Sequence, residues 1–280
     1  MIIWLASYPK SGNTILRALL ASYLFTHDGI FNFEVLKNIK QFPDAGLFKN
    51  QGINVSNDLE VVKNYIKVQE AINRNDNRGI RLLKTHSTLH DIGGYPFTNL
   101  SNSLAAIYIV RDPRNVISSF ANHYQKTLEE AFETMKSFTI LEPSQKKITT
   151  HLGSWDSHYN VWKKFKNLNK YLLVKYEDLI KDKKKKITEI LQFFHNITNT
   201  RFVLNEQKLQ NAIETTSFEK MKVLEKEVGF QEAVKDNETN QSIPFFNLGP
   251  ANDWNKILPV QIKLKIETIF KKEMIELGYL

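Results

Sequence analysis

The chain has 280 residues, 42% hydrophobic and 24% charged, enough apolar content to bury a sizeable core and too much for a disordered tail. Thirty-eight Lys and Arg against 30 Asp and Glu leave a net charge of +8, which favours an anionic ligand or surface without fixing a fold. The absence of cysteine excludes disulfides, thiolate metal sites and cysteine nucleophiles.

No apolar stretch reaches the ~18 residues of a membrane span. The start MIIWLASYPK has neither a charged n-region nor a long apolar segment, so no signal peptide is expected. The expectation is a soluble, cytoplasmic protein.

In chain order, Ile2-Ile3-Trp4-Leu5-Ala6 is continuously apolar, which fits a strand buried on both faces of a parallel sheet. Ser7-Tyr8-Pro9-Lys10-Ser11-Gly12 breaks it with turn formers. Ile15, Leu16, Leu19, Leu20, Tyr23 and Leu24 then recur at the helical period. Ile80 to Lys84 reads as a second strand ending in Thr85-His86-Ser87, and Leu104 to Val110 as the cleanest buried strand. Asp112 fits an N-cap with Pro113 at the first helical position, and Val116, Ile117, Phe120 and Tyr124 supply that helix with an apolar face.

Tyr171 to Tyr176 predicts a further strand, followed by a helix over residues 179–195. Residues 26–78 and 126–168 read as helix or loop without a strand, 201–260 as helix mixed with irregular polar stretches, and 260–277 as a final helix. The run Lys183 to Lys186 precedes Ile187, Ile190, Leu191 and Phe194 and reads as a solvated helix face. Trp155, Trp162 and Trp254 are assigned to the core. No repeat or low-complexity linker divides the chain, which predicts one domain over residues 1–280. Strands separated by helices imply right-handed crossovers and a central, mainly parallel sheet in an α/β fold.

The chemistry concentrates in Tyr8-Pro9-Lys10-Ser11-Gly12-Asn13-Thr14, between a strand and a helix. Backbone N–H groups of such a loop converge on an anion, and the helix adds its positive end. Lys10 supplies a full charge, and the Ser11 and Thr14 hydroxyls can donate. A Walker loop has its lysine directly after the last glycine. Here Asn13 holds that place and Lys10 lies two residues before Gly12, which argues against ATP or GTP and for another phosphate donor.

YPKSGNT followed by a helix resembles the 5′-phosphosulfate loop of sulfotransferases that use 3′-phosphoadenosine 5′-phosphosulfate (PAPS), usually YPKSGTTW. The likeness runs along nearly the whole chain. Leu83-Lys84-Thr85-His86 resembles the K-T-H segment, which makes His86 the expected general base. The run from Tyr108 to Ser119 resembles the 3′-phosphate motif, which assigns Arg111 and Ser119 to that phosphate. Tyr176-Glu177-Asp178-Leu179 matches Y-E-D-L, Thr216-Ser217-Phe218 the T-S-F loop on the adenosine side, and Gly249 to Trp254 the late G-x-x-G-D-W element.

The resemblance implies a three-layer, P-loop-related, sulfotransferase-like fold. It implies transfer of a sulfuryl group from PAPS to a hydroxyl or amine of a small molecule or glycan, with no metal and no nucleic acid. His86, Lys10 and Lys84 are the expected catalytic residues. Lys10, Ser11, Gly12, Asn13, Thr14, Arg111, Ser119, Tyr176, Thr216, Ser217, Phe218 and Gly249 are the expected nucleotide-binding ones.

The departures are also specific. Asn13 replaces a threonine, Ile15 a tryptophan, and Asn252 a glycine. Asn247-Leu248 stands where many members carry Arg-Lys, and Asn255, Pro259 and Leu264 break the dimer motif of the cytosolic animal members. Two rival readings are a P-loop kinase using ATP and magnesium, and a basic module binding nucleic acid or acidic polysaccharide. The displaced lysine weighs against the first, and the scatter of basic residues against the second.

Overall fold

The computed structural model describes residues 1–74, 79–141, 148–236 and 239–280. Strand β1 (Ile2–Ala6) runs parallel to both β2 (Arg81–Thr85) and β3 (Ser103–Val110), and β3 runs parallel to a fourth strand, Tyr171–Lys175. The sheet order is therefore β2, β1, β3, then the fourth strand. The apolar runs are continuous because both faces of this sheet are covered.

Side chains alternate along a strand, so each strand feeds two cores. Ile2, Trp4, Ala6, Ala106, Tyr108 and Val110 enter one, with the helices Pro113–Tyr124, Leu128–Lys136 and Trp155–Trp162. Ile3, Leu5, Ala105, Ile107 and Ile109 enter the other, with α1 (Asn13–Phe25) and the helix Lys183–Thr198. Helix, sheet and helix make the three expected layers. Trp155 and Trp162 are buried as expected, whereas Trp254 is half-buried under the Arg114 guanidinium, 3.8 Å from its ring.

Several elements differ from the sequence reading. The helix expected over 179–195 is two helices, Tyr176–Lys181 and Lys183–Thr198, because Asp182 leaves the helical region (φ −145°) and caps the second by accepting from the Lys185 N–H. The final helix divides at Phe270 into Val260–Ile269 and Lys271–Glu276. Two short strands, Ile140–Leu141 and Thr150–His151, pair within the region read as strand-free; two residues each are too few to show a period.

Because the sheet is parallel, the C-terminal ends of all four strands lie on one edge. Ligands of open α/β sheets bind outside that edge, where neighbouring strands send their chains apart. The residues that leave it are the loop after Ala6, His86 after Thr85, Arg111 after Val110, and Tyr176 after Lys175.

Candidate active site

One cavity of about 500 Å³ sits at that edge. Its walls hold Lys10, Gly12, Asn13 and Thr14 from the loop and α1, Lys84 and His86 from β2, and Arg111 and Ser119 from β3 and the following helix. Tyr176, Ser217, Phe218 and Gly249 complete it. Thus residues spread over 240 positions of sequence line one space. Ser11 and Thr216 are the two assigned residues outside the lining: both are fully buried, and the Thr216 hydroxyl donates to the Ala212 carbonyl at 2.7 Å.

The loop is shaped for an anion. Lys10 takes a left-handed backbone (φ 65°) and Gly12 follows at φ 99°, turning the chain sharply into α1. A Cβ on Gly12 would lie 2.3 Å from the Tyr176 ring, so glycine is required by the packing as well as by the dihedral. No side chain caps α1, which leaves its first N–H groups to the cavity side. The Arg111 Nε, on a residue that lines the cavity, is buried with no protein partner, as suits a donor kept for an oxyanion such as a phosphosulfate or phosphate. The Ser11 Oγ is also unpartnered, but Ser11 lies outside the lining. Asn13 behaves differently: its amide donates to the Leu5 carbonyl (3.0 Å) and the Ser7 Oγ (3.2 Å), tying α1 back to β1.

His86 Nδ1 lies 2.8 Å from the Ser7 carbonyl. A carbonyl only accepts, so Nδ1 carries the proton and Nε2 keeps its lone pair. Burial and the neighbouring Lys84 charge drive the ring well below the usual histidine pKa, with the Ser7 bond opposing them. A neutral imidazole beside the cavity, with its free nitrogen unprotonated, can accept a proton.

Lys10 is desolvated: burial lowers its pKa to about 7, Glu232 opposes the shift, and Lys84 and Arg111 add to it. Its ammonium sits 3.8 Å from the centre of the Phe245 ring. Arg111 lies over the Tyr176 ring at 4.2 Å. Asn252, standing where relatives carry glycine, donates to the Ser119 Oγ at 3.0 Å and to the Asn115 carbonyl at 2.8 Å, which fastens the late segment beside Ser119.

Two lining residues were not legible as site residues. Lys183 was read as solvated, yet it is half-buried and lines the cavity, with burial lowering its pKa against the pull of Glu219. The break at Asp182 makes it the first residue of its helix rather than part of a solvated run. Glu232 accepts from Lys84 at 3.1 Å, from Arg17 at 2.5 Å and from Thr14 at 3.4 Å. Burial alone would raise its pKa, but Lys84 and Arg17 outweigh it and hold the carboxyl well below the usual range. Nothing in the sequence near Glu232 marks it. Among the described residues no group of three or more His, Asp or Glu side chains is arranged to hold a metal ion.

A family model described as the sulfotransferase domain matches residues 2–278. Sulfotransferase 1C2 of Homo sapiens is 26% identical over 204 residues, covering 69% of this chain and 62% of the relative. Sulfotransferase 1B1 of Canis lupus familiaris is 26% identical over 285 residues, covering 97% of this chain and 83% of the relative. The chain thus spans 62% of the length of the first of these relatives and more of the second. The crystal structure of mouse sulfotransferase SULT7A1 complexed with PAP is similar over 98% of this chain and 84% of that one, with a TM-score of 0.60 at 21% identity. That likeness shows a shared fold.

Proposed function

From the premise that the chain belongs to the sulfotransferase-domain family, we propose that it transfers a sulfuryl group from PAPS to a hydroxyl or amine of a small molecule or glycan. The observation that carries this reading is that one cavity is lined by a half-buried, desolvated lysine, a neutral histidine with a free Nε2, and an arginine with an unpartnered Nε. The kinase alternative gains no support from the family match.

The chemistry resembles phosphoryl transfer, with a loose transition state in which positioning and charge do most of the catalysis. The loop N–H groups and the α1 N-terminus bind the 5′ anion, and Arg111 with Ser119 binds the 3′-phosphate. Tyr176 and Phe218 flank the nucleoside. His86 Nε2 takes the acceptor proton as the acceptor attacks sulfur. As the acceptor–sulfur bond forms, the bond from sulfur to the oxygen it shares with phosphorus breaks, and Lys10 neutralises the charge that builds on that oxygen as PAP leaves. Lys84, held by Glu232, adds positive potential beside His86.

The acceptor side is lined by Gln41, Tyr124, Leu141, Ile148, Thr150 and Val234, a largely apolar wall suited to a small hydroxylated or aminated molecule. We assign a cytoplasmic setting from the family alone. Among the described residues no helix is long and apolar enough to cross a membrane. The test is calorimetric titration with PAP, followed by radiolabelled PAPS with a panel of phenols, sterols, sugars and amines. One-to-one binding of PAP and labelled product from one acceptor class support the reading. Failure to bind PAP, with turnover of magnesium–ATP, would replace it with a kinase.

A further inference from the structure

Behind the cavity wall lies a polar relay with no exposure to solvent. His158, on the helix Trp155–Trp162, is fully buried and outside the cavity lining, yet both of its ring nitrogens are engaged. Nε2 lies 3.0 Å from the backbone carbonyl of His86, and Nδ1 lies 2.8 Å from the Tyr108 hydroxyl. The carbonyl can only accept, so Nε2–H donates to it. Nδ1 then accepts, and the Tyr108 hydroxyl donates to it. Burial lowers the His158 pKa to about 3, so the ring is neutral and holds this one tautomer.

An apolar ring would fill this site without the cost of desolvating polar groups. What the imidazole adds is direction. Tyr108 stands in the central strand β3, fully buried, so its hydroxyl is a fixed point. The same helix also holds the next carbonyl: Trp162 Nε1 donates to Ser87 at 3.0 Å. The Thr88 N–H then donates to the His151 carbonyl at 2.8 Å. Three successive residues after β2 are therefore clamped from one side. On the other side the His86 ring is pinned by its Nδ1–H to the Ser7 carbonyl. A rotation of the 86–87 peptide would turn the ring off that carbonyl and withdraw Nε2 from the cavity.

We propose that His158 is a positioning residue for sulfuryl transfer, relaying the fixed Tyr108 hydroxyl to the His86 carbonyl so that the His86 ring keeps its proton on Nδ1 and its lone pair toward the acceptor. The inference rests on the reading of His86 as the base, and it concerns how this chain holds that base.

The test is long-range ¹⁵N spectroscopy of the imidazoles in the wild type, H158F and H158Q, with PAP titration of each. In the wild type the relay requires a proton on Nε2 of His158 and on Nδ1 of His86. In H158F, which removes both polar contacts at similar volume, the His86 Nδ1–H resonance broadens and exchanges with water at least tenfold faster, while PAP affinity stays within about twofold. In H158Q the amide nitrogen can donate and the amide oxygen accept, so the His86 resonance returns.

A wild-type His158 protonated on Nδ1 overturns the relay without any variant, which keeps the proposal testable if H158F does not fold. An unchanged His86 resonance in H158F, or equal losses in H158F and H158Q, also overturns it. A wild type that fails to bind PAP overturns the functional reading instead, while the two tautomers still report on the relay.

Discussion

Glu232 and Lys84 form an ion pair at 3.1 Å inside the candidate site, and the same carboxylate also accepts from Arg17. The two cationic side chains are almost fully buried, whereas Glu232 is 27% exposed. One carboxylate therefore balances two buried cations beside an anion-binding loop. Glu232→Gln should act in opposite directions on stability and on binding. Removing one partner of a fully buried pair costs about 3 to 5 kcal/mol; the partial exposure of Glu232 places this variant below that, at about 2 kcal/mol. The gain of one positive charge should tighten PAP about three- to tenfold. Thermal unfolding and calorimetry on the same preparations check both; weaker PAP binding would mean that the carboxylate holds Lys84 where the nucleotide needs it.

The tautomer of His86 sets a pH expectation. Burial and Lys84 keep its pKa well below 6.5, so Nε2 stays unprotonated across the neutral range. Turnover under saturating substrate should then remain flat from pH 8 down to about 6, without the acid limb of an ordinary histidine. His86→Ala should lower turnover by roughly 100-fold to 10,000-fold and leave PAP affinity nearly intact. An acid limb centred near 6.5, or full turnover in the variant, would remove His86 as the base.

Legibility divides along physical lines. The strands β1 and β3 were readable because a sheet covered on both faces demands continuous apolar runs, and Asp112-Pro113 because capping is local chemistry. Lys10 stood out because it lies in a loop between a strand and a helix, whereas His86, Arg111 and Tyr176 were assigned through the family resemblance; the parallel sheet places the strand ends before all four at one edge. Glu232 was not, because its role depends on two partners 215 and 148 residues away. Lys183 was hidden by its neighbours: a lysine run looks solvated throughout until the helix break at Asp182 is known. The His158 relay was equally silent, since a lone histidine on an apolar helix face carries no mark of its tautomer.

Lys10 should announce ligand binding through a proton. Its pKa of about 7 in the free chain means that near neutrality a large share is uncharged. A bound phosphosulfate or phosphate favours the charged form and raises that pKa. Below pH 6 the lysine is already protonated and binding takes up no proton on its account. Binding should take up about half a proton at pH 7 and close to one above pH 8, where PAP affinity should fall by up to tenfold per pH unit. Calorimetry in buffers of different ionisation heat reads the uptake directly. Lys10→Met should abolish it; uptake that persists in the variant would assign the proton to another group, with Lys183 next in line.

The 3′-phosphate poses the sharpest question, because Asn247 and Leu248 stand where many relatives carry two cations. Leu248 and Asn247 line the cavity and are exposed enough to meet a ligand. Arg111 is the buried cation best placed to compensate: it enters the cavity from the end of β3, its plane is set by the Tyr176 ring at 4.2 Å, and its Nε has no protein partner. A guanidinium so oriented can bind two phosphate oxygens at once, and the Ser119 hydroxyl, already accepting from Asn252, is oriented to donate. Losing a charge-assisted contact costs about 1.5 to 3 kcal/mol, or roughly 10-fold to 150-fold in affinity. Arg111→Ala should therefore bind PAP that much more weakly while binding adenosine monophosphate almost as the wild type does, which collapses the preference between the two. Leu248→Lys should tighten PAP by severalfold at low salt and progressively less as ionic strength rises, since a charge at the cavity rim is screened. Titrations of both nucleotides against wild type and the two variants decide the matter. If Arg111→Ala keeps the full preference for PAP while Lys183→Met loses it, the phosphate is held by Lys183 and the assignment moves to the helix that begins there.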